Sequence, residues 1–211
     1  MPELLPDLLP NSSDVAAIVL AAGASRRFGA DKLLHPLTLH GVTLPLAAHS
    51  LLPWMETFPH ITVVVKPDAE KFCRTLETAL GTTYAAKVRW VTCTDADKGL
   101  AASLICGVQA NARAAGWLIG LADMPAVPAV TIASVREALL NEAELAAPFC
   151  NGKRGHPVGF AASYLNELLA LRGDTGAKRL LERDQNKIVH IAMDEAGIHI
   201  DIDSPADLHT L

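Results

Sequence analysis

Apolar residues along the chain come in short unbroken runs that alternate with longer stretches of helical spacing. Val15-Ala16-Ala17-Ile18-Val19-Leu20 is the first run, and 61–65 (with Thr62) and 117–121 follow, while 88–91 is a strand-length segment interrupted by Arg89. Continuous apolar runs of this length predict strands buried on both faces, as in a parallel sheet. Between them, helical spacing predicts crossover helices around 44–52, 69–80 (Phe72, Leu76 and Leu80 four apart), 100–115 and 128–140. The C-terminal third is less regular. It reads as a strand at 158–160, helices about 163–171 and 176–183, and late strands near 188–192 and 198–202. The fold class predicted is α/β, a three-layer α/β/α arrangement around a mostly parallel Rossmann-like sheet. Residues 1–13, with three prolines and Asn11-Ser12-Ser13, read as an N-terminal tail before a single domain over 14–211.

Composition narrows the function classes. Half the residues are hydrophobic and 19% charged, which excludes intrinsic disorder. Lys plus Arg number 18 against 23 Asp plus Glu, a net charge of −5, so no global basic surface for nucleic acid is expected. No apolar run reaches the roughly 18–20 residues that cross a bilayer, so no membrane partner is expected. The acidic, proline-broken start lacks the basic flank of a signal peptide. Cys73, Cys93, Cys106 and Cys150 are scattered without a Cys-x-x-Cys pair and read as reduced, which makes the cytoplasm the expected address.

In a sheet of this kind, ligands bind beyond the carboxyl ends of the strands. Two segments fall there: the loop after the first strand, and Asp123 after the fourth. The loop, Leu20-Ala21-Ala22-Gly23-Ala24-Ser25-Arg26-Arg27-Phe28-Gly29-Ala30-Asp31-Lys32, combines small residues that let the backbone approach a ligand with three cations suited to phosphate. It is neither of the two best-known phosphate loops. The dinucleotide fingerprint fails at Ser25 and Phe28, and the Walker A pattern fails at Phe28, Gly29 and Ala30.

What remains, L-A-A-G-x-S-x-R-F-G-x-x-K, resembles the signature of the nucleotide-sugar-like nucleotidyltransferases. With Ala22 in place of a second glycine, it is most similar to the molybdenum cofactor cytidylyltransferases. The resemblance runs through most of the chain from Val15. Gly99-Leu100-Ala101-Ala102-Ser103-Leu104 looks like the second nucleotide-contacting segment, and Asp123-Met124-Pro125 like the metal-binding Asp motif. Arg154-Gly155-His156-Pro157 and Gly173-Asp174-Thr175-Gly176-Ala177 look like the pterin-substrate segments, and 201–208 like the closing motif. Lys178 and Ser204 depart mildly from it, where relatives often carry Arg and Thr.

The resemblance implies the sheet of the nucleotide-diphospho-sugar transferases and transfer of CMP from CTP to the phosphate of a molybdopterin cofactor, with release of pyrophosphate. The substrate phosphate is itself the nucleophile, so catalysis is positioning and charge neutralisation. The expected catalytic residues are Arg26, Lys32 and Asp123. The expected nucleotide contacts are Leu20, Ala21, Ala22, Gly23, Arg26, Lys32, Gly99, Ala102 and Ser103. Mg²⁺ is the expected cofactor, on Asp123 and Asp201, while Asp203 and Asp207 are expected to shape the closing turn. Arg154 and His156, helped by Lys153, are expected to meet an anionic pterin phosphate, and Asp174 either pterin nitrogens or a helix start. Arg27 reads equally as a phosphate contact or a solvated cation. The small-molecule partners are thus CTP and the molybdopterin cofactor, with a molybdenum hydroxylase apo-enzyme as the expected recipient. The alternatives are a guanylyltransferase for the same cofactor, a cytidylyltransferase for a small alcohol phosphate, or a non-catalytic insertion chaperone. The second is disfavoured by Asp201, where those relatives carry a Lys-containing motif.

Overall fold

The computed structural model describes residues 14–23, 28 and 31–210. Within them, the strands β1 (Val15–Leu20), β4 (Ile61–Val65), β5 (Val88–Thr92) and β6 (Gly116–Leu121) form a parallel half-sheet. The crossovers are α1 (Leu46–Thr57), α2 (Glu70–Ala85) and α3 (Leu100–Ala110). Beyond β6 come α4 (Ala129–Leu140), β7 (Leu145–Cys150), β8 (Lys153–Arg154), β9 (Val158–Ala161), α5 (Leu165–Leu169), α6 (Lys178–Arg183) and β10 (Ile188–Ala192). The sheet order is β10-β7-β9-β6-β1-β4-β5, with β8 paired to β7. β9 runs antiparallel to both β6 and β7, so the sheet is mixed but mostly parallel.

β1 shows why the unbroken apolar runs arise. Val15, Ala17 and Val19 face one core with α1, α2 and α4, while Ala16, Ile18 and Leu20 face the other with α3 and α6. Side chains alternate across a strand, so a strand covered on both faces is apolar at every position. The polar groups that enter this core are paired. The Trp117 indole donates to the Asn111 carbonyl at 3.0 Å, and Asn111 Nδ2 donates to the Thr62 hydroxyl at 3.1 Å.

The structure differs from the pattern-based expectation at three places. A hairpin of β2 (Pro36–Leu39) and β3 (Val42–Pro45) precedes α1, so helix begins at Leu46 rather than 44. Its two turn residues, His40 and Gly41, both have positive φ, the geometry that matches strand twist in a two-residue hairpin. The helical pattern of 69–80 ends where the backbone of α2 leaves helical geometry, at Gly81 with φ 73°. α3 stops at Ala110, short of 115. The segment 198–202 is not a strand: Ala196–His199 is a 3-10 turn, and the chain then runs under the site. Ile198 and Ile202 are fully buried there, which imitates the apolar alternation of a strand without a ladder to join.

Candidate active site

The carboxyl ends of β1 and β6 open into a cavity of about 450 Å³. Leu20 to Gly23 line it, with Gly99, Leu100 and Ser103 from the start of α3, and Asp123, Asp97 and Asp174 add carboxylates. The Ala21 N–H donates to the Val64 carbonyl at 2.8 Å and the Ala122 N–H to the Leu20 carbonyl at 3.0 Å, which fixes the loop on neighbouring strands. Lys32 and Asp123 carry the site's central charge pair. Lys32 Nζ donates to Asp123 Oδ2 at 2.8 Å and to Asp203 Oδ1 at 3.1 Å, with the Lys32 residue only 6% exposed. A buried ammonium is costly unless opposite charge meets it, and here it has two carboxylates. Burial alone pushes Lys32 down, but Asp123 and then Asp203 outweigh it and hold the ammonium above its ordinary pKa. For Asp123 burial pushes the carboxyl up, with Lys32 pulling down and the charge of Asp201 adding to the rise.

The closing segment is stitched to this pair. The Ile202 N–H donates to the Asp123 carbonyl at 3.0 Å, which sets Asp201 and Asp203 on either side of the anchor. Asp203 therefore reaches the site itself, where sequence reasoning gave it a turn-shaping role. Asp207 does shape the turn: its Oδ2 accepts from the N–H groups of Asp203 and Ser204 and from the Ser204 hydroxyl. The carboxylates fit a hard divalent cation. Asp123 Oδ1 is buried with no hydrogen-bond partner, and the neighbouring Asp201 charge acts on the same group. Among the described residues no three His, Cys, Asp or Glu side chains converge as a ready-made cage. A cation held here would take further ligands from phosphate and water, as Mg²⁺ commonly does.

A second cavity of about 270 Å³ shares Leu20, Leu100 and Leu121 with the first. Its remaining walls are mostly apolar, among them Leu104, Ile119, Val158 and Phe160, with Arg154, His156, Thr175 and Lys178 as polar members. His156 Nδ1 is buried without a partner. Burial, reinforced by the Arg154 charge, pushes the imidazole down to about 4. His156 is thus a neutral imidazole at pH 7, not the cation that the sequence suggested.

The expected residues divide between these spaces. Leu20, Ala21, Ala22, Gly23, Gly99, Ser103, Asp123 and Asp174 line the larger cavity, while Arg154 and His156 line the smaller. Ala102 lines neither. It lines a neighbouring cleft together with Ala101, Cys93 and Cys106. Lys153 is exposed and outside both cavities. Arg26 and Arg27 lie outside the described residues, as does the tail 1–13. Sequence reasoning missed Asp97 and Leu33 on the larger cavity. Asp97 carried the one available signal: a carboxylate two residues before Gly99, the glycine that opens a helix.

Residues 17–188 match the family model of the MobA-like NTP transferase domain. The chain is 31% identical over 201 residues to the purine catabolism protein PucB of Bacillus subtilis (strain 168), covering 90% of this chain and 92% of that protein. Among solved structures, Rv0371c from Mycobacterium tuberculosis H37Rv superposes with a TM-score of 0.76 at 24% identity, over 93% of this chain and 96% of that one. A nucleotidyl transferase from Methanothermobacter thermautotroptrophicus, Mth528, gives 0.71 at 22% identity, over 93% and 95%. Both share the fold.

Proposed function

The chain belongs to the MobA-like NTP transferase family, and from that premise we propose that it transfers CMP from CTP to the phosphate of a molybdenum–molybdopterin cofactor, releasing pyrophosphate. The single observation carrying this reading is the buried Lys32 held between Asp123 and Asp203, on a cavity walled by the Leu20–Gly23 backbone. An acceptor phosphate oxygen attacks the α-phosphorus of CTP, a new P–O bond forms, and the bond to the β-phosphate oxygen breaks. Lys32 is a fixed charge that meets the departing pyrophosphate, so its charge needs no reorganisation during the step. The backbone of Leu20 to Gly23 and the start of α3 hold the nucleoside, and Arg26 adds a second contact to the triphosphate. Asp123 and Asp201 would hold Mg²⁺, which when bound neutralises phosphate charge. The smaller cavity suits the flat, uncharged body of a pterin, with Arg154 for its anionic end. Arg154 and His156 thus take different parts, the imidazole being neutral.

No helix among the described residues is long and apolar enough to cross a membrane. A cytoplasmic enzyme that hands its product to a molybdenum hydroxylase completes the proposal. The chain is incubated with each nucleoside triphosphate in turn, with Mg²⁺ and molybdopterin cofactor, and the product is weighed by mass spectrometry. A cytosine dinucleotide with one pyrophosphate per turnover is the expected result. A guanine dinucleotide would instead make it a guanylyltransferase, and tight pterin binding without any dinucleotide would make it a carrier.

A further inference from the structure

The loop 173–176 lies against the start of α3. The Ala101 N–H donates to the Gly173 carbonyl at 3.1 Å, and Asp174 next to it lines the larger cavity together with Gly99 and Leu20 to Gly23. Gly99 holds φ at 107°, a region side chains rarely adopt, and a Cβ there would overlap the Asp174 carboxylate and crowd the Gly173 carbonyl. The carboxylate is therefore seated on the bare backbone of Gly99, in a place only a glycine leaves open.

The cavity has a direction. Lys32, though not on its wall, is tied to Asp123, which is. A triphosphate belongs beside Lys32 and Asp123, where a divalent cation would offset the carboxylates, which leaves the Leu20–Gly23 backbone and the start of α3 for the nucleoside. The nucleoside end consequently falls toward Gly99 and Asp174.

We propose that Asp174 reads the nucleobase, its carboxylate accepting a hydrogen bond from an exocyclic amino group and so excluding uracil. This rests on the larger cavity being the nucleotide pocket. A carboxylate is acceptor-only, and the same pairing of a carboxylate with the cytosine amino group serves base recognition in nucleic-acid grooves. Uracil presents a carbonyl at that position, which leaves two acceptors facing one another. Asp174 is exposed in the free chain, and a bound base would cover it; sites that hydrogen-bond a substrate donor reject analogues lacking it, because the covered partner is left unsatisfied. This moves Asp174 from the pterin, where the resemblance put it, to the nucleotide.

The test is calorimetric binding of CTP, UTP, GTP and dCTP to the full chain with Mg²⁺ and no acceptor, repeated with Asp174→Asn. The unaltered chain is expected to prefer CTP to UTP by roughly thirtyfold or more. In Asp174→Asn the two should bind within about threefold, since an amide offers either its carbonyl or its NH₂, while the CTP to dCTP ratio stays fixed. An unchanged CTP to UTP ratio overturns the proposal, and so does a collapse of the dCTP ratio instead, which would assign the carboxylate to ribose hydroxyls. Lowered thermal stability with intact selectivity also overturns it, leaving Asp174 only a support for α3. Asp97→Asn is the comparison: an equal loss of selectivity there would give the reading to Asp97. A chain that discriminates against UTP yet forms no dinucleotide upholds Asp174 and overturns the proposed transfer.

Discussion

The 450 Å³ cavity is walled by loop backbone and carboxylates, one of which holds the buried Lys32 ammonium, whereas the 270 Å³ cavity beside it is walled by aliphatic and aromatic side chains and one imidazole whose Nδ1 is buried. Burial acts on both basic groups in the same sense, against their charged forms. Lys32 stays charged because two carboxylates touch it, and His156 goes neutral because its nearest strong influence beyond burial is the like charge of Arg154. Depth alone therefore does not decide what a buried base does; its charged neighbours do. Leu20, Leu121 and Leu100, from β1, β6 and α3, line both spaces, so the proposed polyanion and flat heterocycle would lie side by side on one rigid edge.

The sharpest way to break the comparison is at its charged half. Asp123→Ala removes the partner of Lys32 and the orphaned Oδ1 together. It is expected to lower turnover by at least about a thousandfold, the loss of roughly 4 kcal/mol of transition-state stabilisation. Rates of pyrophosphate release under saturating CTP and Mg²⁺ measure this, and near-normal turnover would remove Asp123 from the reaction. The other half should be untouched, with pterin affinity changing little.

The uncharged half has its own signature in pH. His156 is about 6.5 when unfolded and about 4 when folded, so between those values the unfolded chain binds the extra proton. Stability contributed by this difference is present above pH 6.5 and lost as pH falls toward 4, by up to about 3 kcal/mol. His156→Phe keeps the ring and removes the titration. Urea unfolding at pH 7 and pH 4.5 should show a smaller acid loss in the variant by roughly this amount. Equal acid losses in the two chains would mean the imidazole is protonated in the folded state.

These two halves were not equally legible in the amino-acid sequence. The larger cavity was the more legible, because its signals are local: six apolar residues, a glycine-bearing loop, then Asp123 at the end of a second apolar run. The lysine at position 32 was legible as a cation, but its clasp by Asp203 was not, since 171 residues separate the two. Asp203 came out as a turn former because its neighbours Ser204 and Asp207 do form that turn. His156 was misread for a related reason. A histidine beside Arg154 in a polar segment looks exposed, yet its Nδ1 is buried and its loop packs against Ile198 at Gly155. The 198–202 segment failed because burial of alternate residues is a necessary mark of a strand and not a sufficient one. Where an element's identity depended on a partner far along the chain, pattern alone was silent.

The smallest expected effect tests how tightly the polar cavity is shaped. Ala22 is buried at 7% exposure and lines the larger cavity but not the smaller. The resemblance implies that its methyl group crowds a purine, since guanylyl relatives carry glycine at the matching position. One methylene-sized contact discriminates by about 1–3 kcal/mol, and a second glycine in the loop gives back up to about 1 kcal/mol through added chain freedom. Ala22→Gly is therefore expected to raise the use of GTP relative to CTP by about tenfold, with turnover on CTP falling slightly and pterin affinity unchanged. The ratio of guanine to cytosine dinucleotide, formed from an equimolar mixture of the two triphosphates, reads this directly. An unaltered ratio would mean that the methyl group does not meet the base, and the discrimination would then rest on the far end of the cavity, at Gly99 and the carboxylate seated on it.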